Sequence, residues 1–166
     1  MLHTLALLVV NRPTVLNHIS SLISRRAYNI ESIVAGSTED AKVTRITLVV
    51  ECDEGEVEQV RTQLLKLVDV IHVSDLTAVP SITRELAMIK VKALPERRTD
   101  IVDIVNIFRA KIVDVNRETM VIELTGESDK IDALCEVLEE HGIIEIVRTG
   151  KIAVSRGPEA VKHNIE

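Results

Sequence analysis

VVNRPTVLNHISSLISRRAYNIESI, Val9 to Ile33, is the stretch on which the fold turns. It opens on the end of an apolar run and breaks at Asn11-Arg12-Pro13-Thr14. Val15, Leu16, Ile19, Leu22 and Ile23 then fall at offsets that draw one stripe down a helix. Arg25 and Arg26 close that helix, where positive charge opposes the negative end of the helix dipole. After Tyr28-Asn29 the pattern returns to a strand over residues 30–35. Short connections on both sides make this a strand, a helix and a second strand.

The same alphabet continues outward. Residues 2–10 form the first strand, apolar enough to be covered on both faces. Residues 36–42 supply a polar turn, and 43–51 a strand rich in β-branched residues. Residues 54–66 carry a helical stripe of Val57, Val60, Leu64 and Leu65, and 70–76 a fourth strand. Pro80 punctuates "TAVPSI", and the order then repeats. Strands are predicted at 85–93, 111–115, 120–124 and 143–154, the last interrupted near Gly150; helices are predicted at 99–108 and 129–141, the second stopped by Gly142. The fold class is α+β, two tandem ferredoxin-like βαββαβ domains. The predicted boundaries are 1–76 for the first domain, 77–84 for a linker and entry to the second, 85–155 for the second domain, and 156–166 for a flexible tail that frays. Apolar strands on more than one side call for cover by a second copy, and a two-fold homodimer is the simplest cover.

The totals narrow the function. Of 166 residues, 46% are apolar, yet there is one Tyr, one Phe and no Trp, so the core is aliphatic. A net charge of −6 and the missing aromatics speak against nucleic acid, which asks for a basic surface or stacking platforms. Cys52 and Cys135 form no C-x-x-C pair and read as reduced, partly buried thiols. No apolar run is long enough for a membrane helix, and "MLHTLALLVV" reads as a strand, with no basic leader. The expected location is cytoplasmic.

Asn11 and Asn29 admit two readings each. Asn11 is either a turn or cap residue, or the acceptor for an ammonium group beside free N–H groups that attract a carboxylate. The second reading matches the two charged ends of a free amino acid, with Val15, Leu16 and Ile30 around an aliphatic side chain. Asn29 is either a left-handed helix stop or a second contact. Glu54, Glu56, Glu58, Glu136, Glu139 and Glu140 read as solvated helix faces. His3, His18, His72, His141 and His163 have no metal-ligand spacing, and Ser20-Ser21 has no base partner. No P-loop, G-x-S-x-G or G-x-G-x-x-G is present. No catalytic set emerges. "SRRAYN" either meets a partner's acids or complements the helix end.

Six segments in order, "YNIESI", "LLKLVDV", "RELAMIKV", "FRAKIVDV", "ELTGESDKIDAL" and "RTGKIAVSRG", resemble the regulatory (small) subunit of acetohydroxyacid synthase, also called acetolactate synthase. The resemblance covers nearly the whole chain. It implies an N-terminal ACT domain, a homodimer through ACT domains, and a branched-chain amino-acid effector (valine, leucine or isoleucine) at the dimer interface. It implies no catalysis and no cofactor in this chain. Thiamine diphosphate, FAD and Mg²⁺ are expected in the catalytic subunit, its partner, which it activates and makes sensitive to feedback. Asn11, Arg12, Pro13, Thr14, Val15 and Leu16 are then expected to hold the ligand in one subunit, with Asn29 and Ile30 closing the site from the other. The family pattern carries Gly after Pro13; Thr14 here is expected to cap the helix through its hydroxyl and to crowd the ligand's space. The alternatives are a free-standing ACT-type sensor acting on another enzyme or a repressor, and a small ferredoxin-like enzyme, which the lack of clustered acid, base or nucleophile opposes.

Overall fold

A computed structural model describes residues 1–162 of the chain. It divides into two compact units. The first is Met1–Ile82 together with the segment that begins at Lys151, and the second is Thr83–Gly150.

In the first unit β1 (Leu2–Val10), α1 (Val15–Arg25), β2 (Asn29–Ser37), β3 (Val43–Glu51), α2 (Val57–Leu65) and β4 (Val70–Asp75) follow in the expected order. The sheet order is β2-β3-β1-β4, all neighbours antiparallel. β1 sits inside and is buried from His3 to Val9. Its odd residues Leu5, Leu7 and Val9 share a core with Ile46, Leu48 and Val50 of β3, with Val15, Ile19 and Ile23 of α1, and with Val60 and Leu64 of α2. Alternation along each strand sends that set to the helix side. Fully burying each Val, Leu or Ile contributes roughly 1.5–3 kcal/mol.

The second unit repeats the plan with β5 (Ser81–Lys92), α3 (Arg98–Ile107), β6 (Lys111–Val115), β7 (Thr119–Gly126), α4 (Ser128–Leu138) and β8 (Ile143–Arg148). Its order is β6-β7-β5-β8. Ala87, Ile89 and Val91 meet Ile122 and Leu124 under Ile101, Val105, Ile131 and Leu134. The β6–β7 turn is an Asx turn: Glu118 and Thr119 each donate a backbone N–H to Asn116 Oδ1 at 2.9 Å. On β5, Glu85 is 6% exposed. Arg148 of β8 donates to it twice, at 2.7 and 2.8 Å, and Ser128 donates once, at 3.0 Å. Arg148 also donates to Asp132 on α4 at 2.6 Å. The bonds to Glu85, then to Asp132, hold the Arg148 guanidinium above its ordinary pKa range.

Three features depart from expectation. Asn29 is not the stop of α1; it is the first residue of β2. The left-handed position falls on Ala27, with φ 58°. Ala27 donates to the Ser24 carbonyl at 3.0 Å and Tyr28 to the Ile23 carbonyl at 3.4 Å, a Schellman closure. α3 ends in the same way on Arg109, with φ 54°, where Ala110 donates to Val105 at 2.9 Å. Secondly, the interruption expected near Gly150 is present, but the piece beyond it does not stay with the second domain. β8 ends at Arg148, Gly150 takes φ 88°, and β9 (Ile152–Ser155) follows. The positive φ turns the chain out of β8, so residues 151–155 belong with the first unit and not the second. β9 pairs with β5, whose opening Ser81 and Ile82 also belong to the first unit. Thirdly, the segment after Ser155, expected to fray, makes contacts with the first unit. Arg156 donates to the Pro80 carbonyl at 2.8 Å, Ser155 Oγ donates to the Glu159 carbonyl at 2.7 Å, and Ala153 packs with Ala6 and Leu76, with Val79 and Val161 against them. The rest of the predicted tail, 163–166 with His163, lies outside the described residues.

Cys52 is buried and Cys135 half-buried; both are free thiols, and burial pushes both pKa values up. No helix among the described residues is long and apolar enough to cross a membrane.

Two outcomes follow from these closures. Ala27→Gly removes a Cβ from a left-handed position, so it raises stability by about 1 kcal/mol, read as a higher urea midpoint at unchanged slope. Arg148→Met strips the bidentate partner from a buried carboxylate and lowers stability by about 3 kcal/mol in the same measurement.

Candidate functional site

The break Asn-Arg-Pro-Thr lies where β1 must stop. Val10 donates its N–H to the Asp69 carbonyl and Asn11 donates to the Lys42 carbonyl, both at 2.8 Å. The Asn11 side-chain amide donates to the Ala41 carbonyl at 3.1 Å. That bond orients the amide and leaves Oδ1 as an acceptor. Pro13 has no N–H to lose at the start of a helix. Among the described residues, the backbone N–H groups of Thr14, Leu16 and Asn17 have no acceptor. They are the unmatched donors of the α1 N-terminus.

Beside them is a cavity of about 320 Å³, within the range of small-molecule sites. Asn11, Arg12, Pro13, Val15 and Leu16 line it, together with Val9, Val10, Ala35, Thr44 and Ile46. Five of the eight predicted site residues therefore meet here. Val15 is buried and carries the floor; Leu16 is 44% exposed at the rim. An unmatched set of N–H donors, an amide oxygen and an aliphatic wall can hold a carboxylate, an ammonium group and a short apolar side chain.

The other three predicted residues stand elsewhere in the chain. Thr14 is exposed and does not line the cavity. Nor does it cap α1: its backbone is already near helical, φ −90° and ψ −10°, and its hydroxyl makes no capping bond. An N-cap side chain reaches back to the helix from an extended backbone, which Thr14 lacks. Asn29 pairs with Glu51 at the far end of β3, while Val10 pairs with Val43 at its near end. The nine-residue length of β3 lies between the two amides, about 26 Å at a strand rise of ~3.3 Å per residue. Asn29 is exposed, and its side-chain amide has no hydrogen-bond partner among the described residues. Ile30 is half-buried against the first core.

Sequence reading did not find Ala35, Thr44 and Ile46, the walls that β2 and β3 contribute. Their signal is the strand alternation that puts Ala35 opposite Ile46 on the helix side. It also passed over Asp69, a lone acid inside the apolar "LVDV" run, which is 5% exposed. Among the described residues, no three His, Cys, Asp or Glu side chains gather as a metal site. The expected helix-face acids are exposed except Glu56, which is half-buried and accepts the Asp53 backbone N–H at 2.9 Å, one half of a capping box. Arg25 Nε donates to the Ser21 carbonyl at 3.1 Å, so this part of "SRRAYN" serves the helix end.

Comparisons with known proteins extend over both units. The family model described as an AHAS small subunit-like ACT domain matches residues 5–72. That of the small subunit of acetolactate synthase matches residues 84–157. The acetolactate synthase small subunit of Bacillus subtilis is 51% identical, over 92% of this chain and 90% of that protein. That of Mycolicibacterium smegmatis is 46% identical, over 96% of this chain and 94% of that protein. The crystal structure of the acetolactate synthase small subunit from Thermotoga maritima superposes with a TM-score of 0.88 at 36% identity, over 96% of this chain and 99% of that one. With both domains matched in order along nearly its whole length, the chain belongs to the acetolactate synthase small-subunit family.

Proposed function

We propose that the chain is the non-catalytic regulatory subunit that activates a thiamine-diphosphate-dependent catalytic subunit in the cytoplasm and makes it sensitive to valine, leucine or isoleucine. The observation that carries this reading is the cavity at the start of α1, lined by Asn11, by Leu16 with its unmatched N–H, and by the aliphatic Val9, Val15 and Ile46. The charged ends of a free amino acid and a short branched side chain fit that combination.

A second copy supplies the missing amide. β2 is an edge strand. Its apolar residues on the helix side remain open: Ile33 is 39% exposed and Ala35 is exposed, with Leu16 beside them. An unpaired, partly apolar edge calls for a partner strand. Two β2 strands laid antiparallel about a two-fold axis bring Asn29 of one copy to the Ser37 end of the other. That end lies beside Thr44, a wall of the cavity. The 26 Å that separates the amides within one chain is thus closed between two. An effector gripped from both copies favours one arrangement of the pair over another, and a coupling of about 1–3 kcal/mol is enough for feedback. FAD and Mg²⁺, with thiamine diphosphate, are assigned to the catalytic subunit and not to this chain.

The deciding experiment mixes the chain with its catalytic subunit and follows pyruvate turnover with and without valine. Turnover rises on mixing and falls when valine is added; turnover that ignores the chain favours the free-standing sensor, which a pull-down free of any synthase would support. Two variants test the cleft by calorimetry. Asn29→Ala weakens valine binding roughly 2- to 10-fold, the net worth of one hydrogen bond, with the dimer intact by sedimentation. Ala35→Leu fills the wall and weakens binding at least ~10-fold with unchanged circular dichroism.

A further inference from the structure

Arg12 lines the cavity, yet its guanidinium is engaged behind it. Nη1 donates to Asp69 Oδ1 at 3.3 Å. The other carboxylate oxygen, Oδ2, lies 3.6 Å from Nδ1 of His18, on α1. Asp69 sits in the turn before β4, and its side chain is 7% exposed. A carboxylate so far out of water needs cationic or hydrogen-bonding company. Arg12 supplies one positive charge, and His18 a second when protonated. The Asp69 main chain is pinned as well, since its carbonyl accepts the Val10 N–H at 2.8 Å. One buried residue thereby ties the end of β1, the loop and the first turns of α1 to each other.

The loop has few other restraints. Asn11 is held through Lys42 and Ala41, and Arg12 donates its N–H to the Val10 carbonyl at 2.9 Å. The Val15 N–H reaches the Arg12 carbonyl only at 3.4 Å. Pro13 and Thr14 are exposed. Asp69 is not part of the cavity wall, so whatever it does for a ligand it does through Arg12 and His18.

We propose that Asp69 is a positioning residue of the effector site: its buried carboxylate clamps Arg12 and His18, fixes the 11–14 loop in the shape that receives the amino acid, and so sets effector affinity. The inference rests on the effector-site reading above and deepens it. A loop that is ordered before the ligand arrives does not have to be ordered by it. Removing the charge on Asp69 transfers that ordering to the binding step.

The test uses the full chain and valine, leucine and isoleucine as probes. Asp69→Asn keeps the size of the side chain and removes its charge. Arg12→Met, at an exposed position, leaves the core untouched and keeps the test alive if Asp69→Asn folds poorly. Calorimetry is expected to give a loss of valine affinity of roughly 5- to 20-fold for each. The double variant loses no more than about 2-fold beyond the weaker-binding single, because both remove one clamp. Hydrogen exchange of the amides from 11 to 17 rises at least ~10-fold in either variant, while α2, α3 and α4 exchange as before. Parent-like valine affinity in Asp69→Asn, losses that multiply in the double variant, or unchanged loop exchange overturns the inference. A parent that takes up none of the three amino acids overturns the effector-site reading and the inference together. That outcome differs from failure of the inference alone, in which the parent binds and Asp69→Asn binds equally well.

Discussion

Nine residues of β1 lie in unbroken register against nine of β3, and the other parts of the first unit take their places from that pairing. Alternation sends Leu5, Leu7 and Val9 to the helices and Thr4, Ala6 and Leu8 to the opposite face. A slip of one residue exchanges the two sets. Then Ala6, small enough to pack under Ala153 and Leu76, would face the helices, and Leu7 would have no core. The register also fixes where β1 ends. Val10 stops opposite Val43, so the break at Asn11 falls beside the carbonyls of Ala41 and Lys42 that orient it.

The aliphatic composition matters to the rest of the design. With almost no aromatic rings, both cores are built from β-branched and leucine side chains in two thin layers. The cavity at α1 opens at an edge of the sheet, beside Ala35 of β2. Its polar groups are backbone N–H groups and one amide, which cost the core nothing because they lie beyond the strand's end. In the second unit the corresponding junction after β5 is built differently. Pro95 opens a single 3₁₀ turn ahead of α3, Arg98 Nε donates to the Ala93 carbonyl at 3.0 Å, and Pro95 and Arg98 line a cavity of about 450 Å³ with Val115, Asn116 and Arg117.

Element type and order were readable from hydrophobic period alone, because each helix and strand buries one face or both against an aliphatic layer. The 43–51 and 111–115 strands were read to the residue. What escaped reading depended on single φ values or on contacts distant in sequence. The left-handed stop at Ala27 gave no sign, since Ala is an ordinary helix residue and Asn29, two positions on, is the stronger statistical candidate. Thr14 has the composition of a cap and lacks the backbone for it. Asp69 carries no periodic signal, and its partners lie more than fifty positions away. Of the five loop and helix residues at the cavity, Asn11, Val15 and Leu16 were legible in the strand break and the helical stripe, and Arg12 and Pro13 came with the family resemblance; Ala35, Thr44 and Ile46 were not legible, because only the strand pairing collects them.

The return of the last strand to the first unit bears on how the protein is made. Translation delivers β1 to β4 first, but Ala153 and Val161, which cover Ala6, Leu76 and Val79, leave the ribosome only after the whole second unit. Until then one side of the nascent sheet is bare, and closing it means joining segments separated by the entire second unit. Loop closure over that length adds entropy only logarithmically, yet it delays the step. The second unit, continuous in sequence, is free to fold while its neighbour waits. Of the two units, the one begun earlier is therefore completed later, and the half-clad interval is when a chaperone or a sister chain finds the most to hold.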